Sequence, residues 1–293
     1  RIHGRVNTNG AVTGRCTHSS PNLAQVPSNG SPYGGEFRDL FHVPAGRVLV
    51  GCDASALELK MLGHFMAPID GGVYANIVAD GDVHWANLEA LGIADVERNR
   101  RSDVHEQARN AGKLWLYSFL YGCGEDMSGL NYRAAYVAYH AQQPTGTLIA
   151  NGRRSRKTFK KNLPALAELE KMVKEKATAN KRIKGIDGRW LTCRSAHSAL
   201  NTLLQSAGAL VMKQALVEFD RSLQEQGLTP GKEYEHVMNC HDEFQCEVLD
   251  QDGIPQLVAD TACASLIRGG EFFNIRTEIN GEAHIGSSWK YTH

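Results

Sequence analysis

Val48-Leu49-Val50 is an apolar run that stops at Gly51-Cys52-Asp53, and Leu57, Met61, Leu62 and Phe65 follow it at helical spacing. That pattern calls for a buried strand that delivers an aspartate to the start of a helix. Far downstream, Tyr234 to Cys240 and Phe244 to Leu249 read as two more strands, with His241-Asp242-Glu243 as the acidic tip of their hairpin. Both aspartates therefore end strands and are placed to project from the same edge of a sheet. Two such carboxylates repel each other, and divalent cations between them relieve the repulsion. Mg²⁺ suits the arrangement, because it takes few protein carboxylates and completes its shell with water and phosphate.

The rest of the chain organises around these pieces. The stretch to about Phe41 is rich in Gly, Ser, Asn and Pro and reads as loops with short strands. From about Val73 to Arg189 the pattern is mainly helical. A long amphipathic helix is expected from about Ser198 to Leu223, broken by Gly227 and Pro230. Strands at both ends with a helical insertion between them give an α+β class. At 293 residues and 42% hydrophobic composition the chain can bury a sizeable core. No apolar run approaches the roughly 20 residues that cross a bilayer, and Arg1-Ile2-His3-Gly4-Arg5 lacks the apolar centre of a signal peptide. The seven cysteines are scattered and form no Cys-x-x-Cys, which disfavours a disulfide framework or a zinc site. The expected setting is cytoplasmic, with no membrane partner. The first residue is Arg1 rather than Met, so the expectation is a piece of a larger polypeptide.

Formal net charge is zero, but the charges are segregated. From Arg153 to Lys184 there are twelve basic residues against three acidic ones. A local basic stripe of this kind is the electrostatic footprint of phosphate-backbone binding, or else a solvated helix face. Just upstream, Arg109, Lys113, Tyr117 and Tyr121 recur every fourth residue. On a helix they share one face about 18 Å long that changes from cationic to aromatic. A triphosphate would meet Arg109 and Lys113 near the helix start, where free amides favour anions, and a base would reach the tyrosines. Gly122-Cys123-Gly124 supplies the stop. An amphipathic helix with a basic outer edge is the plainer reading of the same spacing. Asn201 and Gln205, at i and i+4, put two amides on one face of the long helix.

These segments together resemble family A (polymerase I type) DNA polymerases, in wording nearest to the replicative members of T-odd bacteriophages. Asp53-Ala54-Ser55-Ala56-Leu57-Glu58-Leu59 is similar to motif A, the stretch from Arg109 to Gly122 to motif B, and His241-Asp242-Glu243 to motif C. The resemblance implies a polymerase palm (an antiparallel sheet with helices) with a mainly helical fingers insertion, divided as palm 1–75, fingers 76–195 and palm 196–293. It implies a template-directed DNA polymerase that adds dNTPs to a primer 3′-OH on primer–template DNA. Two Mg²⁺ ions about 4 Å apart, with Mn²⁺ able to substitute, would be held by Asp53, Asp242 and the carbonyl of Ala54. Glu243 would support them without being a principal ligand, and Lys113 would act on the triphosphate with Arg109. Gly81-Asp82-Val83-His84 resembles the segment whose histidine also touches the triphosphate, which points to His84.

Glu58 and Tyr121, packed together, would form the gate that rejects a 2′-hydroxyl. Tyr117 stands where other members carry phenylalanine, which implies easier acceptance of dideoxynucleotides. For DNA contacts the resemblance points to Arg15 at the primer terminus, to Asn201 and Gln205 in the minor groove, whose acceptors are nearly degenerate, and to His241. Lys60 departs from the arginine usual at its position, and lysine lacks the guanidinium fork. The stretch from about Leu91 to Glu106 looks like an insertion. No sequence resembles a thumb or an exonuclease, so a separate or missing N-terminal polypeptide is a further expected partner. If the chain is phage-encoded, its cytoplasm is the host's. Two other readings stand beside this one: a single-subunit RNA polymerase, and a primer–template-binding fragment that is inactive without the missing part.

Overall fold

In the computed structural model, which describes residues 1–293, the chain opens with a small hairpin of β1 (Arg5–Asn7) and β2 (Thr17–Ser19) and a short helix α1 (Gly34–Asp39). Strand β3 (Arg47–Ala54) and helix α2 (Leu57–Asp70) form the expected strand-to-helix unit. Six helices follow: α3 (Val73–Asp80), α4 (Val83–Ala90), α5 (Asp103–Leu120), α6 (Glu125–His140), α7 (Leu148–Asn162) and α8 (Pro164–Asn180). A hairpin of β4 (Arg182–Lys184) and β5 (Trp190–Thr192) leads to the long helix α9 (Ala199–Glu225). Strands β6 (Tyr234–Cys240) and β7 (Glu243–Leu249), helix α10 (Ile254–Phe272) and strand β8 (Gly281–Gly286) complete the order. No helix is long and apolar enough to cross a membrane.

One compact unit comprises Arg1–Met61, Gly185–Arg189 and Leu204–His293. Its centre is a four-stranded antiparallel sheet in the order β6-β7-β3-β8. The middle strand β7 is buried on both faces, and its alternation separates two environments. Phe244, Cys246 and Val248 enter an apolar layer in which Phe244 and Phe219 of α9 lie 5.1 Å apart. Glu243, Gln245 and Glu247 occupy the other face, where buried polar groups need partners. Gln245 finds them in Thr292, donating to its carbonyl at 3.2 Å and accepting from its hydroxyl at 2.7 Å. A Cβ on Gly51 would lie 2.2 Å from that same Thr292 carbonyl, so only glycine lets the last residues settle on the sheet.

The other unit comprises Leu62–Lys184 and Trp190–Leu203. Trp115, fully buried, stacks on Phe119 at 5.2 Å and meets Phe159 edge-on at 4.9 Å. Each such side chain stabilises the fold by roughly 2–3 kcal/mol through burial. Helices α6 and α7 cross in direct backbone contact. A Cβ on Gly129 would lie 1.9 Å from the Leu148 carbonyl, and one on Gly152 1.8 Å from that of Glu125. The basic stripe runs along α7 and α8. Leu166, Leu169, Val173 and Ala177 of α8 are buried, and Lys171 and Lys176 face water.

Candidate active site

In the first unit the two motif aspartates come to one edge of the sheet. Asp53 is the next-to-last residue of β3 and pairs across to Glu243, the first residue of β7. Asp242 occupies the two-residue turn between β6 and β7, and the Ala54 amide donates to its carbonyl at 2.9 Å. His241, beside it, takes a left-handed φ of 61°, a conformation that costs a non-glycine residue about 1–2 kcal/mol. Burial, followed by the negative charge of Glu58, pushes the Asp242 carboxyl above the usual carboxylate range. Burial and the nearby Arg15 push His241 down.

Arg15 and Glu58 meet directly. The guanidinium Nη2 donates to Glu58 Oε1 at 2.7 Å, and both side chains are largely buried. Lys60 is buried on the same helix turn. Its Nζ donates to the Asn280 carbonyl at 3.3 Å, and burial pulls its pKa down to about 8 against the opposing charge of Glu278.

Glu243 is saturated with donors. Its Oε1 accepts from Gln245 Nε2 at 2.6 Å and Trp289 Nε1 at 2.5 Å, and its Oε2 from His293 Nδ1 at 2.7 Å. Burial works against its charge, yet the hydrogen bonds and charge of His293 hold the carboxyl below its ordinary value. The same contact raises His293. Behind Trp289 lies Arg38, its guanidinium carbon 4.3 Å from the ring. Arg38 Nε donates to the Pro27 carbonyl at 2.9 Å, and its Nη1 is buried without a partner. Burial lowers its pKa, opposed by Glu243 and Asp53.

No group of three or more His, Cys, Asp or Glu side chains is arranged to hold a metal ion. What this edge offers is two carboxylates and backbone carbonyls, an all-oxygen set that suits Mg²⁺ or Mn²⁺. Burial first, and then the charge of Glu58, disfavour the Asp242 carboxylate, and a cation beside it would offset both.

In the second unit, α5 begins earlier than its spacing implied. Ser102 caps it, accepting from the His105 amide at 3.3 Å, and Asp103 and Glu106 occupy the first turn. Arg109 therefore stands about 9 Å from the helix start, so the free amides of that end do not serve a phosphate at Arg109 and Lys113. Their cationic field comes from the side chains themselves. Arg109 Nε is held by Asp82, at 3.0 and 3.1 Å from the two carboxylate oxygens. Asp82 also caps α4 by accepting from the Trp85 amide at 3.1 Å, and it pairs with Arg98.

The segment from Leu91 to Glu106 is thereby accounted for. Arg98 joins Asp82 to Glu106, and Trp85 Nε1 donates to the Val96 carbonyl at 3.1 Å, so the segment braces α4 against α5. His84 of α4 is buried beside this arrangement. Burial, then Arg109 and Lys113, lower its pKa to about 4, and its ring centre is 6.3 Å from that of Tyr117. Lys113 Nζ lies 6.0 Å from the Tyr117 ring, and Tyr117 lies 6.2 Å from Tyr121. The face of α5 thus runs from Arg109 through Lys113 to two tyrosines, and Gly122, at φ 75°, ends it.

Residues 1–291 match the family model for DNA polymerase family A. The chain belongs to that family. It is 35% identical, over an alignment of 317 residues, to the DNA-directed DNA polymerases of Enterobacteria phage T3 and Escherichia phage T7, covering all of this chain and 41% of each relative. Against DNA polymerase I of Pseudomonas aeruginosa the identity is 26%, over all of this chain and 30% of that protein. Among solved structures, the POL domain of Pol1 from M. smegmatis, in complex with DNA primer-template and dNTP, superposes with a TM-score of 0.78. That match has 18% identity and covers 100% of this chain and 48% of the other, so it speaks for the fold. The chain spans less than half the length of these relatives.

Within this family A chain, Asn201 and Gln205 lie half-buried on α9, and neither amide is hydrogen-bonded to the protein. Asp82 and Arg38 were not singled out from the sequence. Asp82 carried a weak signal, a helix-capping residue two positions before His84, but its hold on Arg109 needs the fold. Arg38, in Phe37-Arg38-Asp39-Leu40, had no sequence signal at all.

Proposed function

We propose that this chain carries template-directed DNA synthesis, transferring a nucleotide from a dNTP to a primer 3′-OH on primer–template DNA. The observation that carries the reading is the joining of Asp53 and Asp242 at one sheet edge, tied by the Ala54–Asp242 backbone hydrogen bond of 2.9 Å, in a family A chain. Asp53, Asp242 and the Ala54 carbonyl would hold two Mg²⁺ ions, or Mn²⁺ in their place. Bound there, the ions supply activation of the 3′ oxygen and charge stabilisation of the leaving pyrophosphate.

The protein's own groups do the rest. Arg109 and Lys113 bind the triphosphate as fixed cations, and the neutral His84 offers a ring nitrogen as a hydrogen-bond donor without adding charge. Tyr117 and Tyr121 receive the base and sugar. Glu243 holds the turn that carries Asp242 and leaves ion binding to its neighbours, since its oxygens are already occupied. Arg15, Asn201, Gln205 and His241 are the DNA contacts.

Primer extension with Mg²⁺ tests this. The parent chain is expected to extend, and Asp53→Ala and Asp242→Ala are expected to reduce extension to background while leaving the fold intact. Extension by either variant at the parent rate would end the reading. Because the chain covers 41% of its phage relatives, the assay is run with and without a separately made thumb polypeptide. Activity only in its presence assigns primer–template binding, and not synthesis, to this chain alone.

A further inference from the structure

Trp190 leaves 50% of its surface in water on the short hairpin of β4 and β5. A single exposed aromatic residue is ordinary, but its neighbours here are unusual. The pairing sets Lys184 directly opposite Trp190, and Arg182 opposite Thr192. All four are exposed, whereas Ile183 and Leu191 are buried on the other face, so strand alternation aims ring and cations the same way. The Arg182 guanidinium carbon lies 4.5 Å from the ring centre and Lys184 Nζ lies 5.5 Å from it.

Two cations of the basic stripe are held by carboxylates, Arg153 by Glu125 and Lys160 by Glu170. Neither Arg182 nor Lys184 has a carboxylate partner. The one acidic residue of the hairpin, Asp187 in the turn, is engaged by Arg189 at 3.3 Å.

We propose that this face binds single-stranded DNA, with an unpaired base stacked on Trp190 and the flanking phosphates met by Arg182 and Lys184. Every base has a π face, so an aromatic ring between cations accepts any sequence while the cations follow the backbone. A duplex keeps its bases stacked on one another and offers the ring nothing. The site rests on the polymerase reading in one respect: there, the occupant is the unpaired template strand.

The probe is a fluorescein-labelled oligothymidylate, titrated by anisotropy over a range of salt, beside a blunt duplex of matched length. Trp190→Ala is expected to weaken oligothymidylate binding about tenfold and leave the blunt duplex unchanged, and Trp190→Phe to retain most of the affinity. Arg182→Gln and Lys184→Gln are each expected to lower the salt slope by about 0.7. Equal weakening of both probes by Trp190→Ala, or no weakening of either, overturns the proposal. So does a polyglutamate peptide that displaces the probe as well as unlabelled oligothymidylate does, since the site would then serve an acidic protein. Should Trp190→Ala fail to fold, Trp190→Phe and the two Gln variants decide: unchanged salt slopes overturn the proposal. A parent that binds the probe as expected but extends no primer defeats the polymerase reading alone. A parent that extends primers yet loses nothing in Trp190→Ala defeats this one alone.

Discussion

Asp82 holds three things at once: the first turn of α4, Arg109 and Arg98. Asp82→Asn separates them, because asparagine caps a helix about as well as aspartate but carries no charge. Side-chain exposures of 15% for Asp82, 25% for Arg109 and 18% for Arg98 mean that solvent screens the pairs only partly. Losing the charge from these hydrogen bonds should therefore cost about 2 kcal/mol. Asp82→Ala removes the cap as well and should cost about 1 kcal/mol more.

Urea unfolding followed by circular dichroism measures both differences. Burial opposes the Asp82 charge, but the Arg109 hydrogen bond and the Arg109 and Arg98 charges hold its carboxyl below the ordinary value of 3.8. This stabilisation is present in full above that value and is lost as pH falls through the lower folded one. The gap between parent and Asp82→Asn should thus be flat near neutrality and close only in strong acid. Because Asp82 engages Nε of Arg109, it also sets the side chain's direction, and Asp82→Asn should raise KM for dNTP several-fold with a smaller change in kcat. An Asn variant within about 0.5 kcal/mol of the parent, or one equal to the Ala variant, would refute the reasoning.

Three further outcomes are expected. His84 has a folded pKa of about 4 against an ordinary 6.5, so the folded state resists protonation. Stability should fall by up to roughly 3 kcal/mol as pH drops from about 6.5 to about 4, and His84→Gln should flatten that part of the urea-midpoint profile. Glu243→Ala strands the Trp289, Gln245 and His293 donors and should cost about 3–5 kcal/mol by thermal or urea unfolding. Glu243→Gln can keep its oxygen toward Trp289 and Gln245 and donate to a neutral His293, and should cost about 1 kcal/mol. Tyr117→Phe should raise discrimination against dideoxynucleotides, and an unchanged ratio of ddNTP to dNTP incorporation would dismiss that role.

What could be read from the residues depended on how local the cause was. β3 and the β6–β7 hairpin were legible because strand alternation and an acidic turn are local signals, and the observed hairpin differs from the expected one only at Glu243. The start of α5 was misplaced because its cap, Ser102, lies outside the motif that drew attention to the helix. α10 was not among the elements expected from the sequence, although Val258, Ala262 and Leu266 recur at helical spacing ahead of Gly269-Gly270. Those glycines are there for packing: a Cβ on Gly269 would lie 2.8 Å from the Val211 carbonyl of α9. β8 is a polar edge strand paired only with β3, so it lacks the apolar face that alternation reveals. β4 and β5 are three residues each, too short for a period to register.

The position of the two aspartates follows from where their strands sit in the sheet. β3 and β7 are its two inner strands, and their register, Asp53 against Glu243 through Arg47 against Leu249, runs without a bulge. A slip of one residue along that pair would exchange the faces of β7, driving Glu243, Gln245 and Glu247 into the layer of Phe219 and stranding Phe244 among the polar groups around Thr292. Each buried carboxylate so misplaced would cost several kcal/mol, so competing registers are unpopulated. The one irregularity, between His236 and Met238, lies on the edge strand β6, where it leaves the β3–β7 register untouched. The chemistry proposed for Asp53 and Asp242 needs their spacing held to a fraction of an ångström, and a doubly buried pair of central strands is the part of this unit with least freedom to change it.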